Sequence, residues 1–280
     1  MPSAQIPWRG PGADRPDLPH PPGSMPLRSA GQNRKCWRYV GLFDEQLMLC
    51  AARAEVGPMA QSFWVLFDRG SGRQLAHTAL RPGSREVTMD GPALEIDGRG
   101  LRASLRLGEC EPVESICPSG SGWSWTRKRA GVPIEGTVEI PGRRWQVSAR
   151  GIDDESAGYH QRHTSWRWSA GVGRSATGQA LAWNLVEGVN DPAENSERGI
   201  WVDGDPSEPP PVRFDGDREG IELGDGERLE FSAESAHARD DNYLLFRSRY
   251  RHSFGSFTGS LRGHELAQGL GVMERHDAVW

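Results

Sequence analysis

A chain of 280 residues is long enough for one large β domain or two of ordinary size. Its 33 basic residues are scattered among 38 acidic ones and the formal charge is −5, so neither nucleic acid nor an anionic membrane surface is an expected partner. No apolar run approaches the roughly 18 residues that a spanning helix needs, the opening residues lack the apolar region of a secretory signal, and a cytoplasmic address is expected.

Residues 1 to 30 are rich in proline and poor in periodic apolar positions, which predicts a mobile arm or a strap across the fold. From Lys35 the pattern changes to short strands. "KCWRYVGLF" and "EQLMLCAARAEV" predict a hairpin, and "QSFWVLFD", "RQLAHTAL", "REVTMD" and "GRGLRASLRL" follow, divided by turns at Asp68-Arg69-Gly70 and Asp97-Gly98. In "LRASLRL" the residues Leu101, Ala103, Leu105 and Leu107 alternate with polar partners, as a strand with one buried face requires. "GWSWTRK", "IEGTVEI" and "RRWQVSAR" carry the series to residue 150. The cysteines at 36, 50, 110 and 117 follow no zinc-knuckle spacing and read as buried free thiols.

The next stretch, "GIDDESAGYHQRHTSWRWSAGVG" (residues 151–173), concentrates acids, histidines and indoles. If 160–168 is one strand, His160, Arg162, Thr164, Trp166 and Trp168 share a face, while Tyr159 and His163 take the other. That splits the His-x-x-His pair across the sheet and disfavours it as a metal site. The face bearing the two tryptophans reads as a pocket wall, or the histidines as hydrogen-bonded structural residues. Among the acids just before it, a carboxyl pushed into an apolar barrel mouth has a raised pKa and serves as a general acid; Glu155 and Asp154 are the candidates. His160 or His163 would relay the proton or position water.

A second polar cluster, "WNLVEGVNDPAENSERGIW" (residues 183–201), places Asn184, Glu187, Asn190 and Glu197 near Trp201. It reads either as side chains bonding their own turns or as polar groups orienting a ligand at a barrel rim. Further short strands follow, with turns at Asp203-Gly204, Asp215-Gly216 and Asp225-Gly226. Only "GHELAQGLGVMER" has a partly helical pattern. The closing "GVMERHDAVW" carries a small acid–base or metal-ligating set, Glu274, His276 and Asp277, and Trp280 is expected to pack back on the fold. No phosphate cradle, dinucleotide fingerprint or G-x-S-x-G elbow is present, so no cofactor is expected.

The segments "RKCWRYVG", "DESAGYHQRHTSWRWSAGVG", "WNLVEGVNDP" and "FGSFTGSL" with "GVMERHDAVW" resemble a bacterial family known as domain of unknown function 2804, over roughly residues 20–280. More distantly, "GYHQRHTSWRW" (158–168) is similar to the centre of the carotenoid 1,2-hydratase and AttH-like proteins. There an acid precedes the histidine, where this chain has Arg162. Those relatives carry two lipocalin-like barrels in tandem, and some hydrate or cyclise isoprenoid or polyene substrates. The resemblance implies an all-β fold of two tandem lipocalin-like antiparallel β-barrels, residues 31–150 and 151–280, with a Pro-rich N-terminal arm at 1–30. The expected function is a cofactor-independent hydratase, dehydratase, cyclase or isomerase, working by acid–base catalysis on a hydrophobic isoprenoid or polyketide-like molecule. Its pocket is expected to be built from Glu155, Asp154, His160, His163, Tyr159, Arg162, Trp166, Trp168, Asn184, Glu187, Asn190, Glu197, Trp201, Glu274 and His276. A non-catalytic binder of a lipid or pigment would need the same aromatic cavity but no proton donor.

Overall fold

A computed structural model describes residues 6–11, 14–80, 85–216, 219–224, 226–243 and 246–279. All regular secondary structure among them is β-strand, and no helix there is long and apolar enough to cross a membrane. The first half contains β1 (Trp8–Gly10), β2 (Arg28–Ser29), β3 (Gln32–Asn33), β4 (Lys35–Phe43), β5 (Leu47–Val56), β6 (Met59–Asp68), β7 (Arg73–Ala79), β8 (Val87–Asp90), β9 (Ala93–Gly98), β10 (Leu101–Leu107), β11 (Val113–Ser119), β12 (Gly122–Ile140) and β13 (Arg143–Gly158). The second half contains β14 (His163–Ser175), β15 (Ala180–Glu187), β16 (Gly199–Val202), β17 (Asp205–Ser207), β18 (Val212–Phe214), β19 (Gly220–Leu223), β20 (Arg228–Tyr243), β21 (Phe246–Leu261) and β22 (His264–Val279).

The halves repeat one plan. In the first sheet the order is β7-β6-β5-β4-β13-β12-β10-β9-β8, and in the second β17-β16-β15-β14-β22-β21-β20-β19-β18. Each is a pair of meanders joined where its first long strand pairs antiparallel with its last, β4 with β13 and β14 with β22. Each sheet curls around its own apolar lumen, because alternation aims every second side chain inward. In β10 that alternation is complete from Leu101 to Leu107. One lumen packs Val40, Leu49, Trp64, Ile96, Leu105, Ile134 and Val147 from strands spread across the whole sheet, and Trp64 Nε1 on β6 donates to Glu86 at 3.0 Å, just ahead of β8. In the other, Trp183, Ile200, Phe214, Phe231 and Phe257 fill the centre. The fold is therefore all-β, two tandem lipocalin-like barrels. The passage between them lies at 159–162, past the division expected near residue 150, because β13 continues to Gly158 in the first sheet.

The barrels dock through their outer faces. Tyr39, Met48, Cys50, Phe63 and Ile152 of the first meet Trp168, Ala170, Tyr250, Phe254 and Val272 of the second in a shared apolar layer. A β-bulge between Ala130 and Val132, with Gly131 at φ +84, lets β12 serve both compartments: Lys128 and Ala130 face the second barrel, whereas Val132 and Ile134 face the lumen. The proline-rich arm is a strap. Its β1 pairs with β11, and Trp8 and Met25 bury against Trp125, Ala157 and Tyr159.

Two expectations are corrected here. Residues 263–275 form no helix: from His264 they are part of β22, and a Cβ at Gly271 would sit 2.3 Å from the Ala170 carbonyl oxygen, so that glycine serves close strand approach. Nor do residues 160–168 form one strand. β14 starts at His163, because the Lys35 ammonium pins the preceding turn by donating to the carbonyls of His160 (3.1 Å) and Gln161 (2.8 Å). The four thiols are unpaired, with Cys50 and Cys117 buried but Cys36 and Cys110 only half-buried. Trp280 and Asp225 lie outside the described residues.

Candidate active site between the barrels

A cavity of about 110 Å³ opens at one end of the barrel–barrel interface. Its apolar wall is Trp37, Tyr39, Trp166, Trp168, Val186 and Val189, with Lys35 and Glu55 also in the lining. Two polar groups of side chains contribute to its lining.

The first group comes from the second barrel. Strand register sets Trp168 opposite Glu274 and Trp166 opposite His276 on β14 and β22, with His252 and Tyr250 beside them on β21. The buried Glu274 carboxylate accepts hydrogen bonds from Trp166 Nε1 at Oε1 (2.8 Å) and from the Tyr250 hydroxyl at Oε2 (2.9 Å). Burial pushes its pKa up to about 7 against the pull of these two donors. Burial drives the neighbouring imidazoles the other way, His276 to about 4 and His252 to about 3, so both are neutral at pH 7. Ser248 Oγ and His276 Nε2 are hydrogen-bonded at 2.8 Å, and Tyr39 OH and His252 Nε2 at 3.0 Å. The last bond ties the two barrels together across the interface.

The second group is a buried ion set. Lys128 on β12 bonds Asp154, its register partner on β13, and its ammonium lies 3.4 Å from Glu197 Oε1 in the loop before β16. Asn190 Nδ2, on a residue with φ +49, donates to Glu197 Oε2 at 2.9 Å. Asn184 accepts from Trp168 Nε1 (2.8 Å) and donates to the Glu197 carbonyl (3.0 Å), fixing one indole and the loop together. Burial raises both carboxyl pKa values, partly offset by Lys128. Burial alone would lower Lys128, but its two carboxylate partners reverse that and leave it raised.

His160 completes the wall. Its buried Nε2 has no hydrogen-bond partner, and burial, with Lys35 nearby, lowers the ring to about 3. Burial also lowers Lys35 itself, to about 8.

Of the expected site residues, the cavity gathers Asp154, His160, Trp166, Trp168, Asn190, Glu197, Glu274 and His276, with Asn184 behind them. The rest lie elsewhere. Glu155 alternates to the opposite face of β13 and pairs with Arg127 (2.7 Å) and Arg38 (3.4 Å). His163 is exposed at the surface and pairs with Asp277, so it shares no site with His160. Arg162 is exposed. The Tyr159 hydroxyl donates to the Pro26 carbonyl (2.6 Å), anchoring the strap. Glu187 accepts from the Phe214 amide (3.1 Å) inside the second barrel's frame, and Trp201 donates to the Glu111 carbonyl (2.8 Å) within the shared layer. Among the described residues no group of three or more His, Cys, Asp or Glu side chains is arranged to hold a metal ion.

Sequence reasoning missed Lys128, Lys35, Tyr39, Tyr250, Ser248 and His252. Four carried a readable signal. Lys128 stands in the inward row Ser124, Thr126, Lys128, Ala130, a charge among small residues. In β21, Ser248, Tyr250 and His252 alternate with Arg247, Arg249 and Arg251, which marks the polar aromatic set as the buried face.

Residues 72–280 match the family described as "Domain of unknown function (DUF2804)", and the chain belongs to that family. No curated protein matches it in sequence. Among solved structures it is similar to an AttH protein from Nitrosomonas europaea, with 11% identity and a TM-score of 0.54 over 91% of this chain and 97% of that one. Kievitone hydratase from Nectria haematococca follows at 10% identity and TM-score 0.49, with 88% of each chain covered. The protein CghA gives 11% identity and TM-score 0.43 over the same shares. At such identities the likeness is one of fold.

Proposed function

We propose that this member of the DUF2804 family is a cofactor-independent acid–base enzyme that hydrates, dehydrates, cyclises or isomerises a hydrophobic isoprenoid or polyketide-like molecule. The observation that carries the reading is the Glu274 carboxyl, buried in an aromatic cavity and poised to hold or release a proton near neutral pH. Glu274 delivers its proton to an alkene or carbonyl of the bound molecule. Trp166, itself bonded to Glu274, and Trp168 offer π-faces to the positive charge that develops, each contributing roughly 1–2 kcal/mol when desolvated. A proton then leaves the adduct, directly or from an added water, to a neutral base. His160 Nε2 is the acceptor in the wall for that step. Two acids of one cavity thus hold different roles: Glu274 is bonded by the neutral donors Trp166 and Tyr250, whereas Asp154 is held by the Lys128 ammonium. The expected acid Glu155 is replaced in this scheme by Glu274, and His163 has no part in it.

The test is incubation with a panel of apolar enones, polyenes and terpenoid alkenes in deuterated water, read by mass spectrometry. Wild type is expected to return an isomer carrying deuterium or a water adduct, and Glu274→Gln to lose about 10²–10⁴-fold in turnover. Retained turnover in that variant overturns the assignment. A panel member that binds tightly and is recovered unchanged, with no exchange, instead makes the protein a carrier.

A further inference from the structure

The ion set around Lys128 is out of balance. Two carboxylates, Asp154 and Glu197, share one ammonium, and the three side chains are 9%, 4% and 4% exposed for Asp154, Glu197 and Lys128. In a medium of low dielectric a surplus negative charge is costly, so the set reaches neutrality only with one more proton or one more cation. The cavity in front of it is walled by Trp37, Tyr39, Trp166 and Trp168, four rings whose faces attract positive charge. His160 Nε2, a buried ring nitrogen in the same wall, has no hydrogen-bond partner and is neutral, so it can accept a bond from an N–H donor. Surplus carboxylate, aromatic walls and an acceptor without a donor all favour the same kind of occupant.

We infer that the cavity selects a ligand carrying positive charge on an apolar skeleton, a lipophilic amine in its protonated form, and discriminates against the isosteric anion. The inference rests on the cavity being the binding site proposed above, and it deepens that reading: an apolar substrate protonated by Glu274 passes through a cation of the same charge and shape. It does not require that any reaction occur. Lys35 does not reverse the preference, since with it included the lining holds four carboxyl groups, of Glu55, Asp154, Glu197 and Glu274, against two ammonium groups.

The test uses the full chain and three probes of one shape, measured by calorimetry at pH 7: N,N-dimethylcyclohexylamine, cyclohexylmethanol and cyclohexanecarboxylate. The amine is expected to bind at least tenfold more tightly than the alcohol, and the carboxylate more weakly than either. Glu197→Gln and Asp154→Asn, each removing the surplus charge at nearly constant volume, are expected to bring amine and alcohol to within about threefold. Equal binding of amine and alcohol by wild type overturns the inference, as does a preference for the carboxylate; if neither variant folds, the wild-type series decides alone. The Glu274→Gln protein separates the two readings. An amine preference that survives there, with no product formed by wild type, keeps the inference and removes the reaction.

Discussion

Replacing Lys128 by methionine keeps the length of the side chain and removes the one cation that Asp154 and Glu197 share. Neither carboxylate can escape to water, because both are buried at the barrel junction. The cheapest response is for the set to take up a proton in place of the lost charge. For a carboxyl whose ordinary pKa is about 4, holding that proton at pH 7 costs about 1.36 kcal/mol for each of three pH units, or roughly 4 kcal/mol, and at pH 5 roughly 1.4 kcal/mol. The range of about 3–5 kcal/mol for breaking a buried ion pair from one side agrees with the larger figure. The sign follows from linkage. In the variant the folded-state pKa values lie above the unfolded ones, so stability is present at low pH and is lost as pH rises toward the folded value. At about 2–4 °C per kcal/mol for a chain of this size, Lys128→Met is expected to lower Tm by roughly 8–16 °C at pH 7 and 3–6 °C at pH 5. Thermal melts followed by near-ultraviolet circular dichroism at both pH values measure this. A deficit that is the same at pH 5 and pH 7, or below about 2 °C at pH 7, refutes the view that Lys128 neutralises buried carboxylates.

Other consequences are open to direct measurement. Because Glu274 must be protonated to act, turnover of a confirmed substrate is expected to fall as pH rises through about 7; Trp166→Phe removes a donor that favours the ionised form, so the same limb moves to higher pH. A limb unmoved in that variant would assign it to another group. Arg9, in the strap, donates to the carbonyls of Ser196 and Arg198 (2.8 Å for the latter), in the loop that carries Glu197. Arg9→Ala is therefore expected to speed amide exchange at 195–198 by at least tenfold, with the far side of the second barrel unaffected. His163→Ala, at an exposed pair with Asp277, is expected to change stability by less than about 0.5 kcal/mol and to leave ligand binding unchanged.

Period-two alternation made the all-β architecture readable, because strands such as β10 bury one face and wet the other. It also placed Trp166, Trp168 and Thr164 together on one face of β14. The same rule did not choose between the two candidate acids. Asp154 and Glu155 are adjacent and necessarily point to opposite sides of β13, but nothing local says which side meets the second barrel. Glu155 proved to lie beneath Arg127 and Arg38, partners supplied by β12 and β4. Glu274 was read in the closing cluster without its buried environment, since that comes from β14 and β21 through ladders that sequence spacing does not encode. The Gly-rich run at 269–271 looked compatible with a broken helix because glycine signals both poor helix and close packing, and here the backbone of β14 decides for the second.

The bulge at Gly131 works like a frame shift in facing. Along β12, even-numbered residues ahead of it such as Ser124 and Lys128 answer to the chemistry of the cavity, and even-numbered residues beyond it such as Val132, Ile134 and Val138 answer to the packing of the first barrel's lumen. Gly131 has no register partner on β13, where Ala130 faces Ile152 and Val132 faces Gly151, so straightening the bulge with every residue kept would turn either Lys128 into the first barrel's oil or Val132 and Ile134 out of it. Substitutions tolerated at Val132 and Ile134 therefore follow rules of volume and shape, those at Lys128 rules of charge, although all three occupy positions of the same parity in one continuous strand. A library built on β12 should change its alphabet at residue 131.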